Sequence, residues 1–220
     1  MTKFLRDQGL AITTFAIFAA TLIGLAFAGW GTYNEEQSEH GEPIVGIGEY
    51  LATPNFGEAV FENWESEFLQ MGAYVVLTVF LFSRGSAESK DPDKEEPSDA
   101  DPRQADMRKD VPWPVRRGGI ILTLYENSLG IALFALFFAS FALHAVTGAA
   151  DYSQEQLAHG GEAISTLGYL STSRFWFESF QNWQSEFLAI GSLIVLSIFL
   201  RQRGSPESKP VAASHSETGA

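Results

Sequence analysis

The sequence predicts an all-α membrane protein, with four transmembrane helices arranged as two tandem parallel-repeat helical hairpins and polar, partly helical outer segments. Three observations carry this expectation. Residues 10–30 hold no charged side chain over 21 positions and residues 127–150 none over 24; at ~1.5 Å per residue, each run can cross a hydrocarbon core of ~30 Å. Residues 61–90 and 180–209 are one unit used twice: at an offset of 119 and without a gap, 18 of 30 positions are identical. Of 14 Lys and Arg, 13 lie in the N-terminus, the central linker or the C-terminal tail, an asymmetry that marks those segments as cytoplasmic.

Average composition conceals this segregation. A net charge of −13 with 45% hydrophobic residues resembles an acidic soluble protein until the apolar runs are separated from the acidic ones. There is no cysteine, so there is no disulfide framework and the redox compartment stays open. No basic run with interleaved aromatics suggests nucleic acid as a partner.

The first membrane helix is expected over 10–30. Ala16, Ala20, Gly24 and Ala28 recur every fourth position, a small-residue stripe that lets another helix approach closely. Lys3, Arg6 and Ala26-Phe27-Ala28 imitate a signal peptide with a cleavage site. The run is longer than a signal core, and its repeat partner at 129–149 is internal, so retention is expected. Residues 31–60 form a polar, acidic outer segment with turns at Pro43, Gly46, Gly48 and Pro54. The second helix is expected over 55–83; its uncharged part, 68–83, is short for a span, so the helix must begin near Phe61 or Trp64.

Residues 84–118 hold five prolines and many acidic residues, a composition that cannot bury a core. Helix three is expected over 120–150, a second outer segment over 151–175, and helix four over about 176–200. The organisation is therefore a first membrane hairpin over 1–90, an acidic Pro-rich cytoplasmic linker over 91–118, a second hairpin over 119–209 and a disordered tail over 210–220. Two helices per copy make the copies parallel repeats about an axis along the membrane normal.

Two duplicated constellations could carry chemistry. Glu36 and His40 are matched by Glu155 and His159. An i, i+4 carboxylate and imidazole share a helical face and suit a divalent transition metal or a proton relay; the plainer reading is a surface or helix-terminus pair. Asn63, Ser66 and Glu67 are matched by Asn182, Ser185 and Glu186. A carboxylate at membrane depth points to function, or else to a structural bond with the indole N–H groups of Trp64 and Trp183, which need acceptors. The outer face is acidic: residues 31–67 contain nine Glu and no Lys or Arg, which concentrates cations or simply solvates a loop. His144 has no repeat partner, Leu25 standing opposite, and reads as a packed histidine. No nucleophile elbow, phosphate loop, HExxH or CxxC occurs, so a non-enzyme is expected.

The motifs Tyr-x-x-Glu-Gln-x-x-His-Gly after helix one, Phe-x-Asn-Trp-x-Ser-Glu-Phe-Leu opening helix two and Arg-Gly-Ser-x-Glu-Ser-Lys closing it resemble a bacterial integral membrane family catalogued only as a domain of unknown function. The resemblance covers nearly the whole chain and implies a small protein of the bacterial cytoplasmic membrane, without implying an activity. One hairpin is faintly similar to the low-affinity iron permeases. The expected function is cation binding or permeation through the duplicated Glu and His positions. The rival is a structural or assembly subunit. The expected partners are the lipid bilayer and further copies or a larger membrane complex.

Overall fold

The computed structural model describes residues 3–106 and 110–219. The elements are α1 (Lys3–Asp7), α2 (Gly9–Glu39), α3 (Ile47–Tyr50), α4 (Pro54–Phe80), α5 (Trp113–Arg117), α6 (Gly119–Glu126), α7 (Ser128–Ala158), α8 (Thr166–Tyr169) and α9 (Ser173–Phe199), with two short 3-10 turns in the linker. No strand occurs among the described residues. The repeat is visible as matched lengths, 31 residues in α2 and α7 and 27 in α4 and α9.

Among the described residues, three helices, not the four expected, are long and apolar enough to cross a membrane: α2, α7 and α9. α4 has the length, but it stops at Phe80 instead of running on through Leu81 and Phe82, and its first half carries Glu58, Glu62, Glu65 and Glu67. Two other boundaries move. The first helix continues past residue 30 to Glu39, carrying Glu36 with it. The third is interrupted between α6 and α7 at Asn127, whose side-chain amide donates to the Thr123 carbonyl at 2.8 Å and so competes with the helical backbone ladder.

The chain groups into two compact units. One comprises residues 1–61 with 143–175, the other 62–142 with 176–220. Both halves of the sequence contribute to each.

In the first unit, each outer segment is pinned to its long helix by the same device. Asn34 on α2 donates to the Val45 carbonyl and accepts from the Val45 N–H, at 3.0 and 2.8 Å. At the equivalent positions, Ser153 on α7 accepts from the Ile164 N–H at 3.0 Å, and its one hydroxyl proton is shared between the Ala149 carbonyl at 2.7 Å and the Ile164 carbonyl at 3.2 Å. Trp30 Nε1 adds a second bond to the Val45 carbonyl at 2.8 Å. With the loops fixed, α3 and α8 each drive a tyrosine, Tyr50 and Tyr169, into the interior at 1% and 0% exposure.

The second unit explains the Arg-Gly-Ser-x-Glu-Ser-Lys motif as a duplicated helix stop. Gly85 and Gly204 sit at φ +85° and +87°, a left-handed turn that glycine enters without a Cβ penalty. Ser89 Oγ then accepts from the Ser83 N–H, and Ser208 Oγ from the Gln202 N–H, at 2.9 and 2.8 Å. Ser86 and Ser205 each accept from the N–H two residues on, at 3.1 Å in both copies. Beyond the second stop, the buried Lys209 ammonium donates to the carbonyls of Ser214, His215 and Glu217. Between the helices of this unit, Gly72 meets the Phe134 ring and Gly130 meets Val76, contacts that a larger residue would hold apart.

Large apolar side chains such as Phe15, Ile17, Phe27, Leu129, Phe138 and Leu196 are exposed, while Glu58, Glu65, Ser140, His144, Ser179 and Lys209 are buried. A surface that is apolar over an interior that is partly polar is the distribution expected of helices that face lipid.

Candidate functional site

The first unit holds the same aromatic cradle twice. In copy one, Tyr50 packs against Gly29, Tyr33 and Phe56, with ring centroids 5.5 Å apart in both pairs. In copy two, Tyr169 packs against Gly148, Tyr152 and Phe175, at 5.8 and 5.5 Å. The glycines permit the approach: a Cβ on Gly29 would stand 2.2 Å from the Tyr50 hydroxyl, and one on Gly148 would stand 2.7 Å from the Tyr169 ring.

The two cradles end in different chemistry. In copy one, the Tyr50 hydroxyl donates to the Asn55 amide oxygen at a long 3.4 Å and to no other group among the described residues. Burial, with Asp151 and Glu36 adding negative potential, pushes the Tyr50 phenol above its ordinary value. In copy two, the Tyr169 hydroxyl donates to Glu58 Oε1 at 3.0 Å, and the His144 imidazole stacks on Phe175 with centroids 4.8 Å apart. Glu58 and His144 bring ligand atoms within 4.8 Å of one another, at 7% and 0% exposure. Glu58 was not among the residues expected to carry function. A signal for both existed in the repeat: the counterpart of His144 is Leu25 and that of Glu58 is Phe177, so each is an ionisable residue in one copy only.

The duplicated Glu and His positions lie at the ends of α2 and α7. Each histidine turns its Nδ1 onto the carbonyl four residues back, His40 to Glu36 and His159 to Glu155, both at 2.8 Å. A carbonyl can only accept, so Nδ1 donates in both rings and Nε2 is left directed elsewhere. The two rings meet edge to face, with centroids 5.6 Å apart. The carboxylates diverge: Glu155 forms an ion pair with Arg174, whose guanidinium also stands over the Tyr152 ring, whereas position 55 opposite Arg174 is Asn55.

The other expected set belongs to the second unit. Ser66 and Ser185 spend their hydroxyls on the carbonyls of Asn63 and Asn182, at 2.7 and 2.8 Å, and Asn182 donates to the Glu178 carbonyl. Glu67 is exposed and Glu186 half-buried. The carboxylate that is fully buried is Glu65, which accepts from Trp183 Nε1 at 3.0 Å. The indole does find its acceptor, on a residue whose repeat counterpart is Gln184.

Residues 1–220 match a family described as a domain of unknown function (DUF6766). The chain belongs to this family. No curated protein matches it, and no solved structure does.

Proposed function

We propose that this member of the family is a non-enzymatic, multi-pass protein of the bacterial cytoplasmic membrane, with both termini and the linker cytoplasmic, an arrangement that needs α4 to return the chain across the membrane alongside the three more apolar helices. Its function is to bind a divalent transition-metal cation at the outer ends of α2 and α7 and admit it to the membrane. The observation that carries the reading is the meeting of His40 and His159: two histidines 119 positions apart, each locked in the same tautomer by its own helix, stand ring to ring. Imidazole nitrogen is a preferred donor for such metals. Glu36 adds local negative charge, that of Glu155 being offset by Arg174, and the acidic outer segments raise the cation concentration around the two rings.

A second reading, assembly with further copies or with a larger membrane complex, is favoured by one feature of α2. Ala16, Ala20, Gly24 and Ala28 are all exposed, and a Cβ on Gly24 would meet nothing within 4 Å. The two readings separate on metal content. Elemental analysis of detergent-purified protein is expected to find bound transition metal in the wild type and about one equivalent per chain less of it in the His40→Ala/His159→Ala variant. Metal-free preparations of both, equally well folded, would sink the cation reading and leave assembly.

A further inference from the structure

We infer that Glu58 and His144 are protein ligands of a second, buried site for a divalent transition-metal cation. This inference does not rest on the His40–His159 reading.

Burial is the first argument. The pair lies out of water, at 7% and 0% exposure, where solvent access is limited and a cation shared by carboxylate and imidazole meets little competition from water. Geometry is the second. The donor atoms lie within 4.8 Å. Two donors bound at about 2.1 Å to one ion stand no more than about 4.2 Å apart, so a small side-chain rotation suffices. Orientation is the third. The Tyr169 hydroxyl holds Oε1 of Glu58 and Phe175 fixes the plane of the His144 ring. A hydroxyl bonded to a ligating carboxylate is the kind of outer-shell support that metal sites use.

The repeat supplies the fourth argument. The Gly-Tyr-Tyr-Phe cradle is built in both copies, but the ionisable pair occurs once. Its counterparts, Leu25 and Phe177, are apolar and exposed. The pair is thus an addition to the packing plan and no requirement of it.

The chain has four histidines, which makes a decisive experiment available. The full-length His40→Ala/His159→Ala/His215→Ala variant retains His144 alone, and the three replaced residues are exposed. Loaded with Co2+ in detergent and studied by X-ray absorption, it is expected to bind about one Co2+ per chain with an imidazole in the coordination shell. Adding Glu58→Gln, which preserves shape, is expected to weaken Co2+ binding at least ten-fold while the helical circular dichroism stays unchanged. No bound Co2+, a shell of oxygen alone, or indifference to Glu58→Gln would each overturn the inference. Metal lost entirely in His40→Ala/His159→Ala would overturn this inference; about one equivalent kept there and lost with Glu58→Gln would uphold it, while the outer reading stands or falls on the equivalent that His40→Ala/His159→Ala removes.

Discussion

Replacing Tyr169 by Phe tests the asymmetry between the two cradles, with Tyr50→Phe as a control inside the same molecule. Both tyrosines are buried, at 0% and 1% exposure, and both rings pack on a glycine and two aromatics. Their hydroxyls differ. That of Tyr169 donates to a carboxylate at 3.0 Å, and that of Tyr50 reaches a neutral amide oxygen at 3.4 Å. A bond to a charged acceptor contributes about 1.5–3 kcal/mol in soluble proteins, and side-chain bonds between membrane helices contribute about 0.6–1.7 kcal/mol. Tyr169→Phe is therefore expected to cost about 1–2 kcal/mol, and Tyr50→Phe less than about 0.5 kcal/mol, because a long bond to a neutral acceptor is weak. For a chain of this length each kcal/mol moves Tm by roughly 2–4 °C. Thermal unfolding followed by circular dichroism should then show a fall of about 2–8 °C for Tyr169→Phe and under about 2 °C for Tyr50→Phe. The difference should shrink when Tyr169→Phe is made in a Glu58→Gln background, where the acceptor is no longer charged. An equal or larger loss for Tyr50→Phe would refute the reasoning, since the Glu58 bond would then contribute nothing beyond what the duplicated cradle provides.

Gly29→Ala is expected to destabilise by about 1–3 kcal/mol through overpacking, because its new methyl would lie 2.2 Å from the Tyr50 hydroxyl; Tyr50→Phe removes that nearest atom and should restore much of the loss, and additive costs would show that the close approach is not the cause. The linker is expected to loosen in acid: the Lys90 ammonium holds Asp99, and that of Lys94 holds Asp91, below the ordinary value of 3.8. The folded state keeps those charges more readily than the unfolded one, so their contribution is present above about pH 3.8 and lost as pH falls through the depressed values. Protection against hydrogen exchange over residues 84–101, taken relative to the intrinsic rate at each pH, should fall below about pH 4 in the wild type. Glu88, pushed above its ordinary 4.5 by burial, acts in the opposite sense, contributing most in acid and less as pH rises. An Asp99→Asn variant whose acid response matched the wild type would show that the Lys90 pair is not responsible.

Much of the architecture was legible in the linear chain. Apolar runs of 21 and 24 residues, with the 119-residue offset, determined the long helices, because a segment without charges can satisfy its backbone groups in lipid only by coiling. The offset also paired His40 with His159 before any contact was known, and the structure brings those rings together. The indoles' need for an acceptor was legible too, although the acceptor was not. Helix ends were less so: α2 runs on to Glu39 because Glu, Gln and Ser propagate a helix once the apolar turns have nucleated it, and the third helix breaks because the Asn127 side chain competes for the Thr123 carbonyl.

Only the tertiary structure decided which carboxylates go inside. Glu58, Glu62, Glu65 and Glu67 follow one another within ten residues of α4, and their chemistry is identical. Spacing marked Glu67 because it is duplicated, yet Glu58 and Glu65 are the ones buried, facing a tyrosine and a tryptophan that lie 111 and 118 positions away. Duplication in a sequence records what two copies share, which is the packing of helix on helix. A buried charge depends on the donor that another segment happens to present, and that juxtaposition exists only once the chain has closed on itself.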